Sequence, residues 1–195
     1  STGGGIATFG QRTARLIECT ISGNIAGQGG GLVNGTQLIM RGCTISGNTA
    51  TILGGGMTSG RTLTTGNLTA NLIENSTISG NNAPIGAGAS ISDLVMFRHS
   101  TIAFNRSSGI AKGIYVQGGA LELDHTIVAA NIGNTGDINA LLGSTVTAHY
   151  SIVGYNQGSG LPASPSGPDA NGNWIGSRYA NEIDPMLGPL TNNGG

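Results

Sequence analysis

The sequence predicts an all-β fold, a right-handed parallel β-helix (a β-solenoid) of about seven coils of roughly 25 residues each. Three observations predict it. A short motif recurs along the chain, a glycine cluster recurs in step with it, and apolar residues fall into columns once the copies are aligned.

The motif is Cys19-Thr20-Ile21-Ser22-Gly23-Asn24. It returns as Cys43-Thr44-Ile45-Ser46-Gly47-Asn48, as Ser76-Thr77-Ile78-Ser79-Gly80-Asn81 and as Ser100-Thr101-Ile102-Ala103-Phe104-Asn105. Looser copies end at Asn131 and Asn156. Successive asparagines are 24, 33, 24, 26 and 25 residues apart. The long interval places extra residues within Thr58–Leu72, predicted to bulge from the rod as a loop. The glycine cluster reads Gly3-Gly4-Gly5-Ile6, Gly29-Gly30-Gly31-Leu32 and Gly54-Gly55-Gly56-Met57, with echoes at Gly86-Ala87-Gly88-Ala89, Gly113-Ile114 and Gly136-Asp137-Ile138. Each coil is thus predicted as a glycine turn, two strands, an asparagine turn and a return.

Three columns face inward on this reading. Three residues before the asparagine stand Ile21, Ile45, Ile78, Ile102, Val128 and Val153. Eight before it stand Leu16, Met40, Ile73, Phe97, Leu123 and Ala148. Five before it is a small column, Cys19, Cys43, Ser76, Ser100, Thr126 and Ser151. Strand side chains alternate between faces, so the positions between these columns point outward. One coil cannot bury its own apolar face, whereas coils stacked about 4.8 Å apart share a continuous core. The asparagines Asn24, Asn48, Asn81, Asn105, Asn131 and Asn156 are predicted to bond along the stack and to supply left-handed turn backbone.

Composition narrows the function classes. Glycine accounts for 36 of 195 residues and the net charge is −1. Only 9% of residues are charged, against roughly 25% in an ordinary domain. A single lysine and scattered arginines argue against nucleic acid. No apolar run approaches the roughly 20 residues of a membrane-spanning helix. A start at Ser1 without Met reads as a processed chain or a fragment. Residues 1–157 are predicted as the β-helix, and 158–195, holding every proline but Pro84, as a cap or an inter-subunit contact.

Candidate chemistry is sparse. No catalytic residue, cofactor or metal site is predicted. Glu122 and Asp124 share an outward face near His99, His125 and His149, which makes a weak acid/base site, and solvated surface charge is the favoured reading. The column Ile17, Arg41, Glu74, Arg98, Asp124, His149 alternates in sign through its middle and reads as an ion-pair ladder. His99 and His125 adjoin in the next column (Glu18, Gly42, Asn75, His99, His125, Tyr150), yet two ligands without a third make a poor metal site. Cys19 and Cys43 lie within disulfide reach on neighbouring coils. Both a disulfide and a pair of stacked thiols fit. Outward Thr20, Thr44, Thr77 and Thr101, with Ser22, Ser46 and Ser79, form a flat hydroxyl array of the kind that binds ice, although threonine also suits any solvent-facing strand.

The glycine cluster, the Thr-Ile-Ser-Gly-Asn motif and the tail resemble bacterial extracellular β-helix repeat proteins of the polymorphic outer-membrane and choice-of-anchor Q types. The tail residues concerned are Asn173-Trp174-Ile175-Gly176 and the stretch from Asp184-Pro185-Met186-Leu187-Gly188 to Asn193-Gly194-Gly195. The resemblance implies a secreted or surface-exposed chain, often within a larger protein, and brings no catalytic motif. Such chains usually continue beyond Asn-Gly-Gly. The function expected is a non-enzymatic extracellular structural or adhesive rod that self-associates through its ends and meets a carbohydrate or cell-surface ligand. The alternative is a carbohydrate-active β-helix enzyme, a lyase or a glycoside hydrolase.

Overall fold

A computed structural model describes residues 2–60, 70–178, 181–188 and 190. The chain is an all-β parallel β-helix of about six turns, with a seventh begun, and the described residues contain no helix. Coil one holds β1 (Ile6–Phe9), β2 (Ala14–Ile17), β3 (Thr20–Ser22) and β4 (Ile25–Gln28). Coil two holds β5 (Leu32–Gly35), β6 (Leu38–Arg41), β7 (Thr44–Ser46) and β8 (Thr49–Leu53). Coil three holds β9 (Met57–Ser59), β10 (Asn71–Glu74), β11 (Thr77–Ser79) and β12 (Asn82–Ile85). Coil four holds β13 (Ala89–Ile91), β14 (Leu94–Arg98), β15 (Thr101–Ala103) and β16 (Arg106–Ile110). Coil five holds β17 (Ile114–Val116), β18 (Ala120–Asp124) and β19 (Ile127–Ala129). Coil six holds β20 (Ile138–Ala140), β21 (Thr145–His149) and β22 (Ile152–Val153), and β23 (Trp174–Ile175) adds one strand beyond it.

Equivalent strands pair in parallel into four sheets along the rod. The repeat sets their register. Ile21 lies against Ile45, Ile45 against Ile78, Ile78 against Ile102, Ile102 against Val128 and Val128 against Val153. The column Leu16, Met40, Ile73, Phe97, Leu123, Ala148 stacks in the same way. A third file, Ile6, Leu32, Met57, Ala89, Ile114 and Ile138, follows the glycine cluster. These files meet in one core. The fourth sheet, β4-β8-β12-β16, carries register shifts, and Pro84 sits inside β12 there. Proline donates no ladder hydrogen bond, so an irregular strand suits it.

Two local expectations are corrected. The coil has up to four strands, because the return is itself a strand in coils one to four. The asparagines also do not supply the left-handed backbone. That falls to the residue before each of the first five, Gly23, Gly47, Gly80, Phe104 and Ala130, with φ of 69°, 62°, 65°, 58° and 56°. The asparagine backbone is thereby left free to extend into the next strand while its side chain points inward.

Of the range Thr58–Leu72 in which a bulging loop is predicted, Thr58 lies in β9 and Leu72 in β10. Residues 61–69 lie outside the described residues. Beyond the last full coil, Leu161 packs against the core. Asp169 accepts hydrogen bonds from the Asn171 and Asn173 amides at 2.8 and 2.9 Å, which hold its carboxyl below the usual carboxylate value. That turn aims Asn173, whose Oδ1 accepts the Ser151 amide at 3.0 Å.

Candidate functional site

The small column is a hydrogen-bond ladder. Each side chain bonds the carbonyl two residues upstream. Cys19 and Cys43 Sγ reach Ile17 and Arg41 at 3.2 Å, Ser76 Oγ reaches Glu74 at 2.8 Å and Ser100 Oγ reaches Arg98 at 2.7 Å. Each also accepts the amide of its counterpart one coil earlier, from Cys19 N to Cys43 Sγ (3.4 Å) through to Thr126 N to Ser151 Oγ (3.1 Å). Cys19 and Cys43 are free thiols within this ladder. Each sulfur reaches its own coil's carbonyl, and Cys43 Sγ also reaches the Leu16 carbonyl of coil one at 3.4 Å. Burial pushes the Cys43 thiol above its usual value, which favours the inert thiol form.

The asparagines form a second, buried ladder. Nδ2 of Asn24 donates to Oδ1 of Asn48, Asn48 to Asn81, Asn81 to Asn105 and Asn105 to Asn131, all at 2.9–3.0 Å. Each acceptor oxygen also takes the backbone amide of the asparagine before it. Asn156 does not join, contrary to expectation. Its Nδ2 turns to the Leu161 carbonyl at 2.8 Å. Asp137 stands in its place, accepting Asn131 Nδ2 on Oδ1 and the Tyr155 amide on Oδ2, each at 2.9 Å.

Packing explains the exchange. Gly31, Gly56, Gly88, Gly113 and Asp137 occupy one column, because Leu32, Met57, Ala89, Ile114 and Ile138 stack in register. A Cβ on Gly113 would sit 2.9 Å from Asn131 Nδ2 and 2.7 Å from the Asp137 carbonyl. Glycine is therefore needed wherever the asparagine of that coil points inward. In coil six the glycine becomes Asp137, whose carboxylate fills the space, and the asparagine leaves.

Asp137 is not alone there. Lys112, 3% exposed, places Nζ 3.6 Å from Asp137 Oδ2, in hydrogen-bond contact with Glu182 Oε1 and 5.4 Å from the centre of the Tyr155 ring. Desolvation pushes the Asp137 carboxyl up to about 6, against the opposing pull of Lys112 and the Asn131 hydrogen bond. The sequence reading missed this cluster. Its signals were the chain's single lysine and an aspartate in a glycine column.

The surface candidates are brought together only in part. Asp124 Oδ1 meets His125 Nδ1 at 2.8 Å, and Asp124 Oδ2 lies 3.7 Å from Arg98 Nε. Arg41 pairs with Glu74 at 2.8 Å. Glu122 shares the face of Asp124, two residues upstream on β18. The rings of His99, His125 and Tyr150 follow one another at 5.0 Å, His99 tilted 36° to His125 and His125 stacked on Tyr150. They do so from left-handed backbone, as do Glu18, Gly42 and Asn75 in the same column, with φ between 46° and 60°. Among the described residues, no group of three or more His, Cys, Asp or Glu is placed to hold a metal.

Thr20, Thr44, Thr77 and Thr101 stack in register. Of the serine column, Ser22 is exposed and Ser46 half-buried, but Ser79 is buried, contrary to expectation. An open groove of about 490 Å³ there is lined by Ser46, Gly47, Ser79, Gly80 and Phe104 and, from the C-terminal segment, by Leu187 and Leu190.

No family model matches the sequence, and searches of curated proteins and of solved structures return no match.

Proposed function

We propose that this chain is a structural or adhesive module of an extracellular or cell-surface protein, a stiff rod that adds to other β-solenoid coils at its N-terminal end. One observation carries the reading. The strands β1, β2, β3 and β4 are all edge strands, and the inward Ile6, Ala14, Leu16 and Cys19 are only partly buried against the core. Open parallel edges over half-covered apolar side chains make a template for another coil. The far end differs, since β23, Leu161 and Asn173 lie over the last coil. The resemblance to choice-of-anchor Q and polymorphic outer-membrane repeats supports a surface location and a continuing solenoid.

Sedimentation and negative-stain imaging of the chain test this reading. Concentration-dependent end-to-end association is expected, and Leu16→Lys, which puts a charge on the open end, should abolish it while the β spectrum persists. A strictly monomeric wild-type chain at high concentration counts against the reading.

A second reading rests on Glu122 and the Asp124–His125 contact, which put two carboxylates and a titratable ring on one outward face. It makes the rod a carbohydrate-active enzyme. Release of unsaturated or reducing ends from acidic polysaccharides, lost in Asp124→Asn, is its test. The threonine file, in turn, supports ice binding only if the chain shows thermal hysteresis.

A further inference from the structure

We propose that Lys112 and Asp137 become joined by an isopeptide bond that the fold itself forms, with Glu182 carrying the protons. The inference stands on the buried cluster at coils five and six and does not depend on the surface reading above.

The backbone brings the two partners together before any chemistry. Lys112 N–H donates to the Gly136 carbonyl at 3.1 Å, and the two residues that follow, Gly113 and Asp137, are neighbours across the same ladder. Amine and carboxyl therefore spring from the turns that precede β17 and β20 on adjacent coils, in fixed register. The Asp137 carboxyl cannot swing away. It is fully buried, Oδ1 holds Asn131 Nδ2 and Oδ2 holds the Tyr155 amide. Lys112 Nζ lies 3.6 Å from Oδ2, which is bonded to the Cγ that the amine attacks.

The nucleophile is the free amine, and Glu182, in contact with Nζ, is the base that takes the ammonium proton. Desolvation raises Asp137 and populates its carboxylic acid, which has a hydroxyl to lose. A second carboxylate, Glu182, touches the same nitrogen. An ordinary ion pair needs only one carboxylate, whereas condensation also needs a group to move protons, and Glu182 stands where it can do so.

The step balances without an oxidant or a cofactor. Glu182 takes a proton from the Lys112 ammonium. The Nζ lone pair attacks Asp137 Cγ, forming the C–N bond and a tetrahedral centre. Glu182, now protonated, gives its proton to the departing hydroxyl oxygen and takes the second amine proton, ending as the carboxylic acid. The C–O bond breaks and water leaves, so the chain loses one water and gains a secondary amide between coils five and six. Such a tie would secure the end of the rod where the asparagine ladder stops.

Intact mass of the denatured, reduced full chain tests the proposal. The expected result is a mass one water below that of the sequence, with proteolysis yielding a branched peptide that joins the Lys112 and Asp137 segments. Lys112→Arg and Asp137→Ala should each restore the full mass. In Glu182→Gln the linkage should form many-fold more slowly, and linkage at the wild-type rate would remove Glu182 from its role. A wild-type chain at full mass after prolonged incubation in the folded state overturns the proposal, as does a water loss mapped to any other residue. The wild-type measurement decides even if a variant fails to fold.

Discussion

Asn81 illustrates how much a single side chain carries in this fold. Its amide donates to Asn105 Oδ1 and to the Ile45 carbonyl, while its Oδ1 accepts the Asn48 amide and Asn48 Nδ2. Removing it strands several buried polar groups, each costing roughly 1–3 kcal/mol. Asn81→Ala is expected to lower stability by at least about 3 kcal/mol in chemical denaturation. Ala130 is the opposite case. It holds φ of 56° at a position where three earlier coils use glycine. Left-handed backbone costs an L residue roughly 1–2 kcal/mol, offset in part by the entropy glycine loses on folding. Ala130→Gly should therefore raise the unfolding midpoint slightly. The asparagine file was legible because its spacing repeats. Its final acceptor was not, because Asp137 precedes the coil's asparagine in sequence and reaches its place only through packing.

Strands in this molecule owe their register to buried files rather than to surface charge. Arg41–Glu74 and Arg98–Asp124 join neighbouring strands, but the arginines are about half exposed. Exposed pairs contribute roughly 0–1 kcal/mol. A double-mutant cycle on Arg41 and Glu74 should return a coupling below about 1 kcal/mol, reduced further by salt. Ile78→Ala, in the middle of the fully buried isoleucine file, should cost roughly 2–5 kcal/mol, because the flanking coils fix the cavity walls. Alternation along β18 correctly placed Glu122 and Asp124 outward. The burial of Ser79 was not legible, and it lies in a groove that Leu187 and Leu190 also line from far along the chain.

At the scale of the whole molecule, the ends of the ladders matter most. One ladder stops at Asp137 and the other at Asn173, so the C-terminal part of the chain closes what the repeat leaves open. Asp137 also gives the rod a pH dependence wherever it remains an unlinked acid, as in Lys112→Arg, which keeps a cation beside it. Its folded value of about 6 lies above the ordinary 3.8, so the folded chain holds the proton more tightly than the unfolded one. The stability from this group is complete below the ordinary value and is lost as pH rises through about 6. Thermal unfolding of Lys112→Arg should thus show a midpoint that falls between pH 4 and pH 6, the part due to this group vanishing when Asp137→Asn is added. A midpoint that rises across that range with Asp137 and is unchanged by its removal would contradict the assignment.

The repeat by itself determined the solenoid, its parallel register and the inward files. Coils can only stack like on like when equivalent residues recur about every two dozen positions, and that periodicity is written in the chain. Tertiary structure alone decided where the periodicity breaks. Lys112 precedes one glycine echo and Asp137 lies within the next, but nothing in the repeat brings Glu182 to them. They meet because coil six lacks a glycine, loses its asparagine from the ladder and lets the C-terminal segment come alongside, a consequence of volume and hydrogen-bond satisfaction in three dimensions.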